Sequence, residues 1–443
     1  MRRFLASSCF AVGAVLVAAC ESSLPPPKSA PAAAPAGSCL SIASWNDLHG
    51  QLLPDEIQID VNRMPGGGLV ALADQLAAVR ATGDTVVALD AGDLFTGPLE
   101  STLAEGAPVI DAYNVMGIDA AAVGNHEFDF GPVGYGRVVA APNTGDEAGA
   151  DGPRGALLAR MEAAHFPFVS ANLRREGGKP LGYPHLAPST HVRRGGYDVG
   201  VVGYSTIETP VTTLKPNVVG LDFATNAAAS VAAEVRSLRL AGAAPIVLLA
   251  HASLDGVLQQ RLDDPTDPDG MKRGGELAAL LDGMAVTDRP DLIVAGHRHQ
   301  WMLGRVRGIP IVSSECHGIG LTQVRYCRAG ATEPPRLDRI ERRVALPSTA
   351  PTSALGAAVA TTIAPWLARV KDQADAVITT LARPCPSKAR DGTALAEQNA
   401  RALAQHCSAA AAPPPGVPVV AFVNAGMLRA PLRAGPLRFR DLF

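Results

Sequence analysis

"GNHEFDFG", residues 124–131, follows the apolar run Ala120–Val123 and cannot comfortably continue it. Gly124 breaks the strand that the run predicts, and Asn125, His126, Glu127 and Asp129 then arrive within five positions. Buried polar groups are costly unless something binds them. The stretch therefore reads as a strand that ends on a binding site.

The same arrangement recurs along the chain. "LSIAS" (40–44) leads into "WNDLHG", with Asp47 and His49, and "TVVAL" (85–89) into "DAGD", with Asp90 and Asp93. His251 follows "PIVLLA" (245–250), and His297 and His299 follow "DLIVAG" (291–296). Taken singly, each has a plain structural reading. An Asp-x-His pair can be a turn with a capping Asp, Asp90 and Asp93 can cap a helix, and His251 can be a satisfied core histidine. "GHRH" is more specific, because residues two apart on an extended segment face the same side; Arg298 between them reads as solvent-facing. Together they are harder to dismiss, since ligand crevices in open α/β sheets lie at the carboxyl ends of strands.

The donors have a chemical character. Imidazole, carboxylate and amide oxygen without thiolate suit Mn, Zn, Fe, Co or Mg. Seven candidate ligands exceed the three or four that one zinc takes. They divide over two divalent ions sharing a carboxylate, the arrangement that clamps an in-line displacement with metals about 3.5–4 Å apart. An imidazole at such a site titrates near neutrality and needs a second group to set its tautomer.

The whole chain sets the frame. Its 443 residues are 47% apolar with a net charge of −3, which predicts two domains and gives no basic surplus for a nucleic-acid polymer. "MRRFLASSCFAVGAVLVAAC" reads as an export signal over 1–19, ending in a lipobox-like "VAAC" that favours Cys20 as a lipidation site over a plain secretory signal cleaved nearby or an uncleaved anchor. Glu21, in place of an Asp, points to the outer membrane as the address. The Pro/Ala-rich stretch to residue 38 reads as a tether. In an oxidising compartment disulfides are allowed, and Cys385 with Cys407 is the expected pair among Cys39, Cys316, Cys327, Cys385 and Cys407. From Leu40 to about Ala345 short, wholly apolar runs alternate with helical stretches such as 68–82 and 226–241, an α/β pattern whose strands are covered on both faces. The Gly/Asp/Pro-rich stretch 141–153 reads as a surface loop, and a second unit starts near Pro347 with a helix.

"DLHG", "GDLFTG", "GNHEFD", "AHASLDG" and "GHRH", in that order, resemble the calcineurin-like metallophosphoesterases. More narrowly, with "VSANL" (169–173) and "SECHGIGLTQV" (314–324), the chain resembles their exported bacterial 5′-nucleotidase and UDP-sugar hydrolase branch. The resemblance implies a four-layer αββα sandwich over 39–346, followed by a partial α/β substrate domain over 347–443. It assigns Asp47, His49 and His299 to one metal and Asn125, His251 and His297 to the other, with Asp93 bridging. His126 then stabilises phosphoryl oxygens or protonates the leaving group, oriented by Asp129, while a hydroxide between the metals attacks phosphorus. Asp90 and Glu127 stay outside the ligand set. Asn424 and Arg429 in "NAGMLRAPLRAGPLRFRDLF", and more loosely Arg390, match substrate-contacting positions, although Ala425 and Met427 replace glycines. Relatives continue past the position of Phe443, so hydrolysis of a phosphoester is the firmer expectation and the nucleotide substrate the weaker. The same scaffold serves 2′,3′-cyclic nucleotide phosphodiesterases, UDP-sugar hydrolases and thiosulfohydrolases, and a surface lipoprotein that binds without turnover is the non-enzymatic alternative.

Overall fold

The computed structural model describes residues 34–59, 62–137, 149–255, 274–330, 333–346, 350–382, 432 and 434–442. Two sheets form its middle. Across the first the order is Arg336–Val344, Gly320–Cys327, Cys39–Trp45, Thr85–Asp90, Ala120–Ala122, Phe168–Val169, Leu186–Ala187. The strands from Cys39–Trp45 onward pair in parallel, and the two on its other side are antiparallel. Across the second the order is Met302–Val306, Ile309–Ser313, Leu292–Ala295, Ile246–His251, Tyr197–Ser205, Ser189–Arg194. Its inner strands are parallel and its edge strands antiparallel.

Period-two alternation explains why these runs are apolar throughout. Leu40, Ile42, Val87 and Leu89 of the first sheet share one buried cluster with Val199, Val201, Val247, Leu249, Leu292 and Val294 of the second. Their neighbours Ala43, Trp45, Val86 and Ala88 face the other way, onto Leu69–Arg80, Ala107–Met116, Gly155–Ala163 and Ala354–Asp375. Val202, Leu248 and Ile293 likewise face Ala228–Leu240 and Glu276–Asp282. The layers are therefore helix, sheet, sheet, helix, the αββα sandwich expected from the motifs. The helices expected over 68–82 and 226–241 run Leu69–Arg80 and Ala228–Leu240.

The helix Ala354–Asp375 lies beyond the boundary drawn at residue 347, yet its Val359 and Ile363 are buried in the same cluster as Leu69 and Ala112. Its first turn is capped by Ser353, whose Oγ accepts from Gly356 N at 2.9 Å. Of the loop expected over 141–153, residues up to 148 lie outside the described part. No helix among the described residues is long and apolar enough to cross a membrane.

The cysteine pair on view is one that sequence reasoning did not choose. Cys39 and Cys327 sit directly opposite on antiparallel neighbours and are disulfide-bonded across a separation of 288 residues. A bridge closing so long a loop removes unfolded-state freedom, typically worth about 2–4 kcal/mol. Cys385 and Cys407 lie outside the described residues, as do Cys20, Arg390, Asn424 and Arg429.

Candidate metal centre

Parallel strands in both sheets deliver their carboxyl ends to one crevice. The loops after Trp45, Asp90 and Ala122 meet there with those after His251 and Ala295, bringing together every metal-ligand candidate read from the sequence. Asp47, His49, Asp93, Asn125 and His251 are buried, and His297 and His299 are partly so. Arg298 between them is exposed, as its bland reading expects.

The backbone is held in an uncommon shape at this crevice. Asp47 (φ 51°), His49 (50°), Asp93 (60°), His297 (77°) and His299 (53°) all occupy the left-handed region, a conformation that costs a non-glycine residue about 1–3 kcal/mol and concentrates at functional sites. Hydrogen bonds between the loops maintain it: Asp47 N donates to Gly92 O and His49 N to Asp93 O, each at 2.9 Å. His297 N donates to Asp47 Oδ2 at 2.9 Å.

The side chains gather into two clusters. Donor atoms of Asp47, His49, Asp93 and His299 lie within 4.8 Å of one another, and so do those of Asp93, His251 and His297. Asn125 Oδ1 is 3.1 Å from both His251 Nε2 and His297 Nδ1. Asp93 is common to both clusters.

Tautomers show which ring nitrogens face inward. His49 Nδ1 donates to Thr96 O and His251 Nδ1 to Ala91 O, both at 2.8 Å, so each Nε2 directs a lone pair into the crevice. There His49 Nε2 meets His299 Nε2 at 2.9 Å, and His251 Nε2 meets Asp93 Oδ2 at 3.0 Å. Lone pairs and carboxylates converging in this way require something positive between them, a proton or a metal ion. The electrostatics agree. Burial pulls His251 down, but Asp93 outweighs it and lifts the ring to about 10. Burial wins at His49, drawing it down to about 3 against Asp93 and Asp47. Burial would push Asp93 up, but His251 foremost holds it well below the usual carboxylate range. Nitrogen and oxygen donors converging on a shared carboxylate fit two divalent ions.

Two carboxylates brace this arrangement from outside. Glu127 is fully buried; its Oε2 accepts from Gly124 N at 2.6 Å and Asp93 N at 2.9 Å, and its Oε1 from Leu94 N at 2.6 Å. It ties the "GDLFTG" loop to the "GNHEFD" loop. Burial, aided by Asp93, raises Glu127 to about 7. Asp90 accepts from Gly92 N at 2.8 Å and from Tyr113 OH at 2.5 Å, and the same Tyr113 hydroxyl accepts from Trp45 Nε1 at 2.8 Å. Gly124 has a separate reason to be glycine: a Cβ there would lie 2.2 Å from Asp93 Oδ1.

His126 stands at the edge of the crevice, partly exposed, its ring centroid 4.9 Å from that of His49. Its Nδ1 is 2.5 Å from Asp129 Oδ2, as expected, and its backbone N donates to Asp93 Oδ1 at 2.8 Å. Asp129 is itself held, its Oδ1 accepting from Thr213 Oγ1 at 2.8 Å.

No family model matches the chain. A snake venom 5′-nucleotidase from Gloydius brevicauda is 31% identical over 177 residues, 39% of this chain and 26% of the relative. The 5′-nucleotidase of Mus musculus is also 31% identical over 177 residues, 39% of this chain and 27% of its own. The crystal structure of a 5′-nucleotidase precursor from Thermus thermophilus superposes with a TM-score of 0.64 at 20% identity, covering 91% of this chain and 72% of that one. The chain is thus similar in sequence to 5′-nucleotidases over part of its length and shares its fold with the solved 5′-nucleotidase precursor. It spans about a quarter of the length of these two curated relatives.

Beside the motifs read from the sequence, the structure brings in residues that sequence reasoning missed. Thr213 and Asn217 lie beyond the Tyr197–Ser205 strand, and Asn217 Nδ2 donates to Phe128 O at 2.8 Å, steadying the turn that carries His126 and Asp129. Buried Arg154 anchors this segment, donating to Asn217 O at 2.8 Å and Val219 O at 3.1 Å. Glu208, in the same stretch, accepts from His297 Nε2 at 2.9 Å and so turns His297 Nδ1 towards Asn125. The run "YDVGVVGY" is legible as a strand, and its carboxyl end leads into this segment just as the other strands lead into the ligand loops. Cys316 and His317, after Ile309–Ser313, stand beyond another such strand end. Burial raises the Cys316 thiol, but hydrogen bonds with His299 and His317 outweigh it and bring it to about 6.

Proposed function

We propose that this chain is an exported, metal-dependent phosphoester hydrolase that releases phosphate from 5′-nucleotides. The observation that carries the reading is the pair of donor clusters sharing Asp93, with the His126–Asp129 pair beside them. Asp47, His49, Asp93 and His299 would hold one divalent ion and Asp93, Asn125, His251 and His297 a second, and the ions would supply hydroxide at neutral pH and charge to neutralise the phosphoryl oxygens.

The remaining work falls to the protein. The carbonyls of Thr96 and Ala91 keep the His49 and His251 lone pairs inward. Glu127 fixes the backbone on which Asp93 and Asn125 stand. His126 donates from its ring to a phosphoryl oxygen or to the departing alkoxide, and Asp129 selects its tautomer while stabilising the imidazolium. Asn424, Arg429 and Arg390 are assigned to the substrate through their match to family positions. Cys20 is assigned as a lipid anchor at the outer membrane, reached through the 20–38 tether. A Cys20→Ser chain that stayed in the membrane fraction as fully as the wild type would contradict the anchor.

A substrate panel tests the reading. Manganese-, cobalt- and zinc-loaded protein is given a 5′-nucleotide, a 2′,3′-cyclic nucleotide, a UDP-sugar and p-nitrophenyl phosphate. The 5′-nucleotide is expected to give the highest kcat/KM, by at least about tenfold, a difference of about 1.4 kcal/mol in transition-state stabilisation. Preference for the cyclic nucleotide or UDP-sugar would move the substrate assignment. No release from any of them would end the hydrolase reading.

A further inference from the structure

The described residues hold a third group of donors beside the two clusters above, and its composition is different. Donor atoms of His299, Cys316 and His317 lie within 4.8 Å of one another, and all three residues are partly buried. Cys316 is a free thiol. We propose that these side chains form a separate site for a thiophilic divalent ion of the zinc class, adjoining the metal pair and drawing on His299.

Donor chemistry separates this site from its neighbour. The pair is lined by nitrogen and oxygen, which accept manganese, cobalt or magnesium as readily as their availability allows. A thiolate with two imidazoles selects zinc-like ions and disfavours manganese and magnesium. Three protein ligands also leave one tetrahedral position open.

The loop is built to hold its ligands in place. His317 takes a left-handed backbone (φ 59°), rare for a non-glycine residue. Its N donates to Asp47 O at 2.8 Å, and its own carbonyl accepts from Gly68 N at 3.1 Å. Ser314 N donates to Asn46 Oδ1 at 2.7 Å, and Ile319 N to Cys316 O at 3.1 Å. A Cβ on Gly67 would fall 2.5 Å from His317 O, so the approach of the two loops depends on that glycine. Ligands fixed in this way lose little freedom on binding an ion.

Sharing His299 has a consequence. An ion at the thiolate site competes with the pair for that imidazole, so zinc beyond the two equivalents of the pair inhibits turnover. This consequence rests on the phosphoesterase reading, whereas the site itself rests on its ligands alone.

Cobalt decides between the outcomes, because a thiolate ligand gives it a charge-transfer absorption in the near ultraviolet that nitrogen and oxygen ligands do not. The metal-free full chain is titrated with cobalt, and bound metal is counted after dialysis. The wild type is expected to bind a third equivalent, with the thiolate band growing only as that equivalent enters. Cys316→Ser should bind one equivalent fewer, lack the band and keep the first two; His317→Gln should weaken the third by at least about tenfold. A band that survives Cys316→Ser, no band at any loading, or a band complete within the first two equivalents would overturn the proposal. Zinc inhibition relieved in Cys316→Ser supports the competition for His299. Absence of any turnover sinks the hydrolase reading and leaves the cobalt result to decide the site.

Discussion

His126→Asn should lower phosphate release by about 10²–10⁴ while metal content stays at the wild-type level, the loss expected when one positioned acid or charge stabiliser is removed. The geometry separates the two readouts. The His126 ring is paired with Asp129, and its contact with Asp93 is made by backbone N–H, at 2.8 Å from Oδ1. Asparagine retains that N–H, so the carboxylate common to both clusters keeps its partner. It has no group that titrates near neutrality. Kinetics with p-nitrophenyl phosphate beside metal analysis of the same preparation checks this. Metal loss equal to that of an Asp93 variant would contradict the role given to His126.

Asp93→Asn should remove both activity and metal. Its carboxylate belongs to both donor clusters, is buried, and is the strongest opposing charge on buried His251 and His49. A neutral amide leaves cations and imidazoles crowded in a low-dielectric crevice without their shared counter-charge, and breaking buried charge pairs in this way costs about 3–5 kcal/mol. At least one of two bound equivalents should be lost, and turnover should fall by more than the about 10²–10³ that a single electrostatic stabiliser supplies. Elemental analysis after dialysis, with circular dichroism to show that the fold survives, is the check. Two retained equivalents would show that Asp93 does not bridge.

The difference between these variants reflects what residues alone reveal and what they do not. Apolar runs ending in polar clusters make the strands and the ligand crevice legible, because a strand buried on both faces leaves no other place for Asp47, Asn125 or His297 to be useful. Thr96 O and Ala91 O are invisible for a simple reason: every residue has a carbonyl, and only the folded chain shows which one meets an imidazole. Thr213 and Asn217 escape notice because their segment, "TLKPN", carries no carboxylate or histidine to draw the eye, although it holds Asp129 and the Phe128 carbonyl. In the sequence Cys39 is only one of several cysteines, since register, which pairs it with Cys327, is a property of the sheet. Cys316 escapes for the opposite reason, because the strand-end donor set reads as free of thiolate.

In the proposed site, loops from two sheets hold two cations on one shared aspartate. Anomalous scattering from crystals grown with manganese measures it most directly. Two peaks about 3.5–4 Å apart should appear with Asp93 between them, one beside Asp47, His49 and His299 and the other beside Asn125, His251 and His297. A single peak, or peaks away from Asp93, would contradict it.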